Sequence, residues 1–152
     1  EATELRNMLS AAASITRTLK KATFINEQAV DSDNQQTRVL NFSLPLEAII
    51  DNKEVRGYVD DFKGKYSVTI DEDGTPLNTT LFFEGKGRAY IIFSLALTQT
   101  NTSNYIVVGN RLIKVKEEFE RKQDSTWGKR NSTGYKELTL TTNEAKIALL
   151  KQ

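Results

Sequence analysis

TELRNMLSAAASITRTLKKATF, residues Thr3 to Phe24, is the stretch on which the reading of the fold turns. Leu5, Met8, Leu9, Ala12, Ile15, Leu19 and Ala22 recur in steps of three and four. That spacing puts side chains on one face of an α-helix. Arg6, Asn7, Arg17, Lys20 and Lys21 fall mostly on the other side. Thr3 is placed to cap the N-terminus, although Arg6 three positions on is not the Glu or Gln of a capping box. Glu4 near the start and Lys20 and Lys21 near the end suit the two poles of the helix dipole. Small residues from Ala11 to Ser14 allow close approach to whatever the helix packs on. The pattern predicts one helix ending between Phe24 and Gln28. The chain opens at Glu1 without a Met, which reads as a processed chain or a fragment whose helix continues something longer.

Beyond a polar loop predicted at Asp31–Gln36, the apolar period drops from about 3.6 to about 2. In RVLNFSLPL, Leu40, Phe42 and Leu44 alternate with Val39, Asn41 and Ser43, a strand with one buried face stopped at Pro45. Leu46 to Phe62 is ambiguous, with a helical turn at Leu46, Ile49 and Ile50 as one reading. GKYSVTI and LNTTLFF flank DEDGTP as a hairpin, and Asp73-Gly74 supplies residue types that tolerate positive φ. AYIIFSLAL, Ala89–Leu97, is apolar on both alternating sets, as in a central strand covered on both faces. Its second face is the expected seat of the N-terminal helix. In YIVVGNRLIKVKEEF, Gly109-Asn110 is a two-residue turn that sets Val108 against Arg111, Val107 against Leu112 and Ile106 against Ile113. Thr98–Asn104 and Glu120–Gly134 read as polar loops, the second holding the only Trp. YKELTLT reads as a last strand, followed by a short amphipathic tail.

These elements predict an α+β fold: an N-terminal amphipathic helix packed on an antiparallel β-sheet of about six strands. One domain is expected over residues 1–152, with helix at 1–28, sheet at 37–141 and a tail at 142–152.

Composition removes several functions. The 152 residues contain no His and no Cys. Disulfides, Cys/His zinc sites and Ser-His or Cys-His nucleophile pairs are therefore excluded. Lys plus Arg is 21 against 20 Asp plus Glu. That balance lacks the basic surplus a nucleic-acid partner demands, so none is expected. The longest apolar run, Ala89–Leu97, is about half of what a membrane span needs.

The remaining constellations carry little chemistry. Asp71–Gly74 is acidic, but with Gly74 as sixth position a calcium loop would have Thr69 first and Thr80 twelfth, and neither is a ligand carboxylate. A solvated turn is expected. Glu84–Arg88 (EGKGR) lacks the phosphate-loop frame and reads as a turn between strands. Asp60-Asp61 and Glu117-Glu118 are carboxylate pairs without evidence of a shared cleft. No catalytic residue, cofactor or metal is expected. Asn41, Asn78, Asn101 and Asn131 head N-x-[ST] sequons. Trp127, between Thr126 and Gly128, reads either as a partner contact or as a cap folded onto the sheet.

EATELRNMLSAAASITRTLKKATFI, followed by TRVLNFSLP and later by YIVVGNRLIKVKEEF, resembles the type IV pilin-like proteins, minor pilins and the pseudopilins of type II secretion or competence systems. The resemblance covers the helix and about three strands. It implies a long helix whose upstream apolar half anchors in the membrane and forms a filament core. It also implies a non-enzymatic structural subunit, extracytoplasmic at the cell surface or in a filament, with other pilin-like subunits as partners. The membrane would be met only through a segment absent from this chain. The assembly face would be Leu5, Met8, Leu9, Ala12, Ile15 and Leu19. Lacking Cys, the chain departs from pilins that close a C-terminal disulfide loop. The alternative is an extracytoplasmic binding or adhesion domain, such as a lipoprotein ectodomain, with Trp127 and the segments 98–104 and 120–134 as contact surface.

Overall fold

The computed structural model describes residues 2–32, 35–89, 93–140 and 145–150. Two short helices, α1 (Ala2–Leu9) and α2 (Ala11–Leu19), lead into β1 (Thr23–Ser32) and β2 (Gln35–Leu44). Two single-turn helices follow, α3 (Leu46–Ile49) and α4 (Lys53–Arg56). The rest is strand: β3 (Val59–Ile70), β4 (Pro76–Ala89), β5 (Phe93–Val108), β6 (Arg111–Ser125), β7 (Gly128–Leu140) and β8 (Ala145–Leu150). All eight form one sheet in the order of the chain, each antiparallel to the next.

This corrects the expected α+β fold with one long helix on about six strands: the molecule is β-rich with small helices. Two local causes account for the shorter helix. The helical path breaks at Ser10 (φ −116°, ψ 34°), a residue type whose hydroxyl competes with helical bonding. From Thr23 the β-branched and aromatic run Thr-Phe-Ile favours a strand, and β2 offers a partner that pairs Thr23 with Ser43 and Phe24 with Phe42. Of the predicted loop at 31–36, Asp31 and Ser32 are strand paired with Gln36 and Gln35, and residues 33 and 34 lie outside the described residues.

The two predicted polar loops are also strand. Residues 98–104 lie inside β5, and 120–134 divide into β6 and β7 around the turn Thr126-Trp127. Neither has an apolar alternation to announce it, because side chains there meet water or other polar groups on both faces. Gln99 Nε2 donates to Asn101 Oδ1 (2.9 Å) on one face, and Lys122 pairs with Glu120 (2.9 Å) on the other. Other predictions agree with the structure. Asp73-Gly74 lies in the β3–β4 turn, and Val108, Val107 and Ile106 pair with Arg111, Leu112 and Ile113. The ambiguous segment forms α3 and α4. Of the doubly apolar segment, Tyr90, Ile91 and Ile92 lie outside the described residues.

One face of the sheet carries the core. Leu40, Phe42 and Leu44 on β2 sit in register with Val68, Tyr66 and Gly64 on β3, and Tyr66 and Val68 with Leu81 and Thr79 on β4. The helices cross this face. Met8 packs on Ile113 and Leu138, Ala11 and Ile15 on Tyr105, and Leu19 reaches the cluster of Leu44, Tyr66, Val68 and Ile70. The helical pair thus runs over the sheet from β7 towards β2. The opposite face is polar and includes a ladder in which Asn41 Nδ2 donates to Asn26 Oδ1 (2.9 Å) and Ser67 Oγ to Asn41 Oδ1 (2.8 Å). Among the described residues no helix is long and apolar enough to cross a membrane.

Candidate functional site

The N-terminal helices cover only part of the inner face. At the other end of the same face, the 93–97 end of β5, an apolar groove of about 480 Å³ lies open, within the roughly 300–1,000 Å³ typical of small-molecule sites. Its floor is strand. Phe62 and Phe83 stack at 6.4 Å between ring centroids, 28° from parallel. Leu97 and Leu95 on β5 stand opposite Gly85 and Gly87 on β4. These two glycines remove side chains where the groove is deepest. Gly87 is required on a second ground: a methyl group there would overlap the Tyr58 carbonyl oxygen. Gly85 has room for a methyl, with the nearest atoms 3.6 Å away.

One wall is the α3–α4 elbow, contributing Leu46, Ile50, Val55 and Tyr58. The sequence shapes this elbow closely. Asn52 Oδ1 caps α4 by accepting from the backbone N–H groups of Glu54 (2.8 Å) and Val55 (3.2 Å). Arg56 Nη1 donates to the carbonyls of Ile50 and Asp51, each at 2.8 Å. Lys21, just past α2, donates to the Glu47 carbonyl (3.2 Å) and pairs with Asp51 (3.4 Å). The Arg88 N–H donates to the Tyr58 carbonyl (2.9 Å) and fastens the elbow to β4.

Trp127 crowns the other wall. It is 80% exposed yet packs on Phe93, with ring centroids 4.7 Å apart and planes 42° apart. Its turn is held to β5 from both sides: the Ser94 N–H donates to Thr126 Oγ1 (3.0 Å), and the Thr126 N–H to the Ser94 carbonyl (3.2 Å). Trp127 is fixed in position without being buried.

Lys86 and Arg88 border the groove through their backbone; they alternate with Gly85 and Gly87 along β4, so their side chains leave from the opposite face of the sheet. Neither joins an ion pair among the described residues. Lys63 further along the sheet differs, being held by Glu84 at 3.6 Å. The lining is apolar surface, a chemistry suited to holding a lipophilic ligand.

The predicted assembly face lies elsewhere. Met8 and Ile15 are buried against the chain's own sheet, Leu5, Leu9 and Leu19 are half-buried beside them, and Ala12 is exposed. The other predicted constellations are dispersed. Asp71 Oδ1 accepts from the N–H groups of Asp73 (3.0 Å) and Thr75 (2.8 Å), so this carboxylate shapes its own turn. Glu117 and Glu118 point to opposite faces of β6, paired with Lys114 (3.2 Å) and Lys116 (2.8 Å). Asp60 and Asp61 are exposed on β3, and Glu84–Arg88 is strand where a turn was expected. All four sequon asparagines lie in strands.

Beneath α2 sits a small polar cluster. Tyr105 Oη and Thr79 Oγ1 are 2.7 Å apart, and Tyr66 lies in the adjoining core. Burial pushes the Tyr66 phenol up to about 12, reinforced by Tyr105, and burial raises Tyr105 as well.

Sequence reasoning missed Phe62, Phe83, Leu95 and Leu97 as a set. The signal available was Gly85-x-Gly87 at a period of two, opposite an apolar strand. Compared with protein-family models, curated proteins and solved structures, the chain matches none.

Proposed function

We propose that the protein is a non-enzymatic, extracytoplasmic binding domain whose working site is the groove between the α3–α4 elbow and Trp127. The observation that carries this reading is the groove itself: aromatic and aliphatic side chains left open at an end of the inner face that the N-terminal helices do not reach. Large apolar surface at a concave site is unusual in a folded chain unless something occupies it. A filament subunit assembling through Leu5, Met8, Leu9, Ala12, Ile15 and Leu19 would have to withdraw most of those side chains from the sheet. The groove needs no such rearrangement and is the preferred reading.

Titration with a neutral lipophilic dye tests it. Saturable binding at one site per chain is expected. Gly85→Leu, which grows a side chain from a position with room at its base, should weaken binding at least roughly tenfold while leaving the urea midpoint close to that of the parent. Absence of saturable binding, or binding indifferent to Gly85→Leu, would overturn the proposal.

A further inference from the structure

Glycines on the inner face of this sheet act as seats for rings. Phe119 on β6 stands opposite Gly134 on β7. Its ring lies so close that a methyl group at Gly134 would sit 2.6 Å from Phe119 Cε1. At Gly64 on β3 a methyl would come within 3.0 Å of Phe62 Cε1. A residue without a side chain bares flat backbone, and an aromatic ring laid over it restores the packing. Gly87 is covered in another way, by the Tyr58 carbonyl. Gly85 differs. It lies in the groove between Phe62 on β3 and Leu97 on β5, and the nearest atoms are 3.6 Å from where a methyl would stand. Among the described residues no ring presses on it as Phe119 presses on Gly134.

The surroundings of this open seat are rich in rings and free of charged side chains. Aromatic residues make up 9% of the chain, yet Tyr58, Phe62, Phe83, Phe93 and Trp127 all line this one groove. The Phe62–Phe83 stack borders Gly85, and the Phe93–Trp127 pair forms the other wall. Gln123 and Ser125, beside Leu97 and Leu95, add uncharged polar groups. We infer, resting on the groove reading above, that the ligand is an uncharged planar molecule of fused aromatic rings, seated flat on Gly85 with one edge against the Phe62–Phe83 stack. Displacing water from the apolar floor supplies most of its affinity. Ring–ring contact adds a preference that an aliphatic chain of equal hydrophobicity does not gain.

The test uses the full chain and three uncharged alcohols of similar hydrophobicity: naphthalenemethanol, which is planar, heptanol, a chain, and cyclooctanol, a puckered ring. Binding is read by calorimetry. Naphthalenemethanol should bind roughly tenfold more tightly than either of the others. Gly85→Ala, whose methyl has room at its base but lifts a flat ring off the backbone, should bring naphthalenemethanol to the level of heptanol. Phe83→Leu, which keeps an apolar side chain and removes a ring, should narrow the preference to about threefold or less. Urea midpoints close to the parent's check that both variants are folded. Equal binding of the three alcohols, or tighter binding of heptanol or cyclooctanol, would leave the groove standing and overturn the planar ligand. So would a tenfold preference that survives both substitutions. Failure of all three to bind would overturn the groove reading and this inference with it.

Discussion

The inner face of the sheet has two halves built from similar residues with opposite fates. Under α1 and α2, Ile113 is 5% exposed and Met8 3%, and Tyr105, Val68, Ile70 and Leu138 are buried with them. At the other end of β5, Leu95 is 42% exposed, and Phe62, Phe83, Phe93 and Leu97 are only half-buried. Side-chain chemistry does not separate these halves. Length does. A helix lying across strands covers a band about 10–12 Å wide, whereas the 16 residues of β5 run for roughly 50 Å. The four-residue helices α3 and α4 only edge the uncovered end. What remains open is a consequence of covering a long sheet with short helices.

The largest expected contrast lies in truncations. Ile113→Ala, in the covered half, should lower the unfolding free energy by about 3 kcal/mol, transfer and cavity terms together. Leu95→Ala should cost less than about 1 kcal/mol, because its side chain already meets water. Urea unfolding of the two variants measures this, and equal losses would abolish the distinction between the halves. Next comes Gly87→Ala, which forces β4 away from the Tyr58 carbonyl and should cost about 2 kcal/mol. Gly85→Ala should cost well under half as much.

The covered half should also show itself in alkali. With the Tyr66 phenol raised to about 12 from an ordinary value of 10.0, the native state takes up the neutral form more strongly than the unfolded chain does. Stability from this group is complete below the unfolded value and is lost as pH rises between the two. A decline of about 1 kcal/mol from about pH 9 to about pH 11 is expected in the parent beyond that of Tyr66→Phe. Parallel profiles for the two proteins would show that the site is not closed by the helix above it. The smallest stability change should come from Trp127→Ala, within about 0.5 kcal/mol for so exposed a side chain. The same variant should weaken binding in the groove several-fold, about 1 kcal/mol. A large stability loss would instead make Trp127 part of the core.

Much of the sheet was legible where turn chemistry and alternation coincide. Asp73-Gly74 and Gly109-Asn110 announce two hairpins, and Leu40, Phe42 and Leu44 announce a buried strand face. The helix was legible in kind but not in extent. Ser10 looks like one more small residue in a helical pattern, and the strand preference of Phe24 and Ile25 is realised by pairing with β2. Residues 98–104 and 120–134 were opaque for a different reason. Periodicity reports burial on one side, and strands with polar surroundings on both sides carry no such report.

By itself the sequence determined the local alphabet of the fold: where turns must fall, which helix face is apolar, and that His and Cys chemistry is closed to the chain. Those properties depend on residue type and spacing over a few positions. The tertiary structure alone decided that the same inner face is core at one end and groove at the other. That outcome depends on how far two short helices reach across strands several times longer than the width they cover, and Leu95 and Ile113 carry no mark by which to tell which side of that limit they occupy.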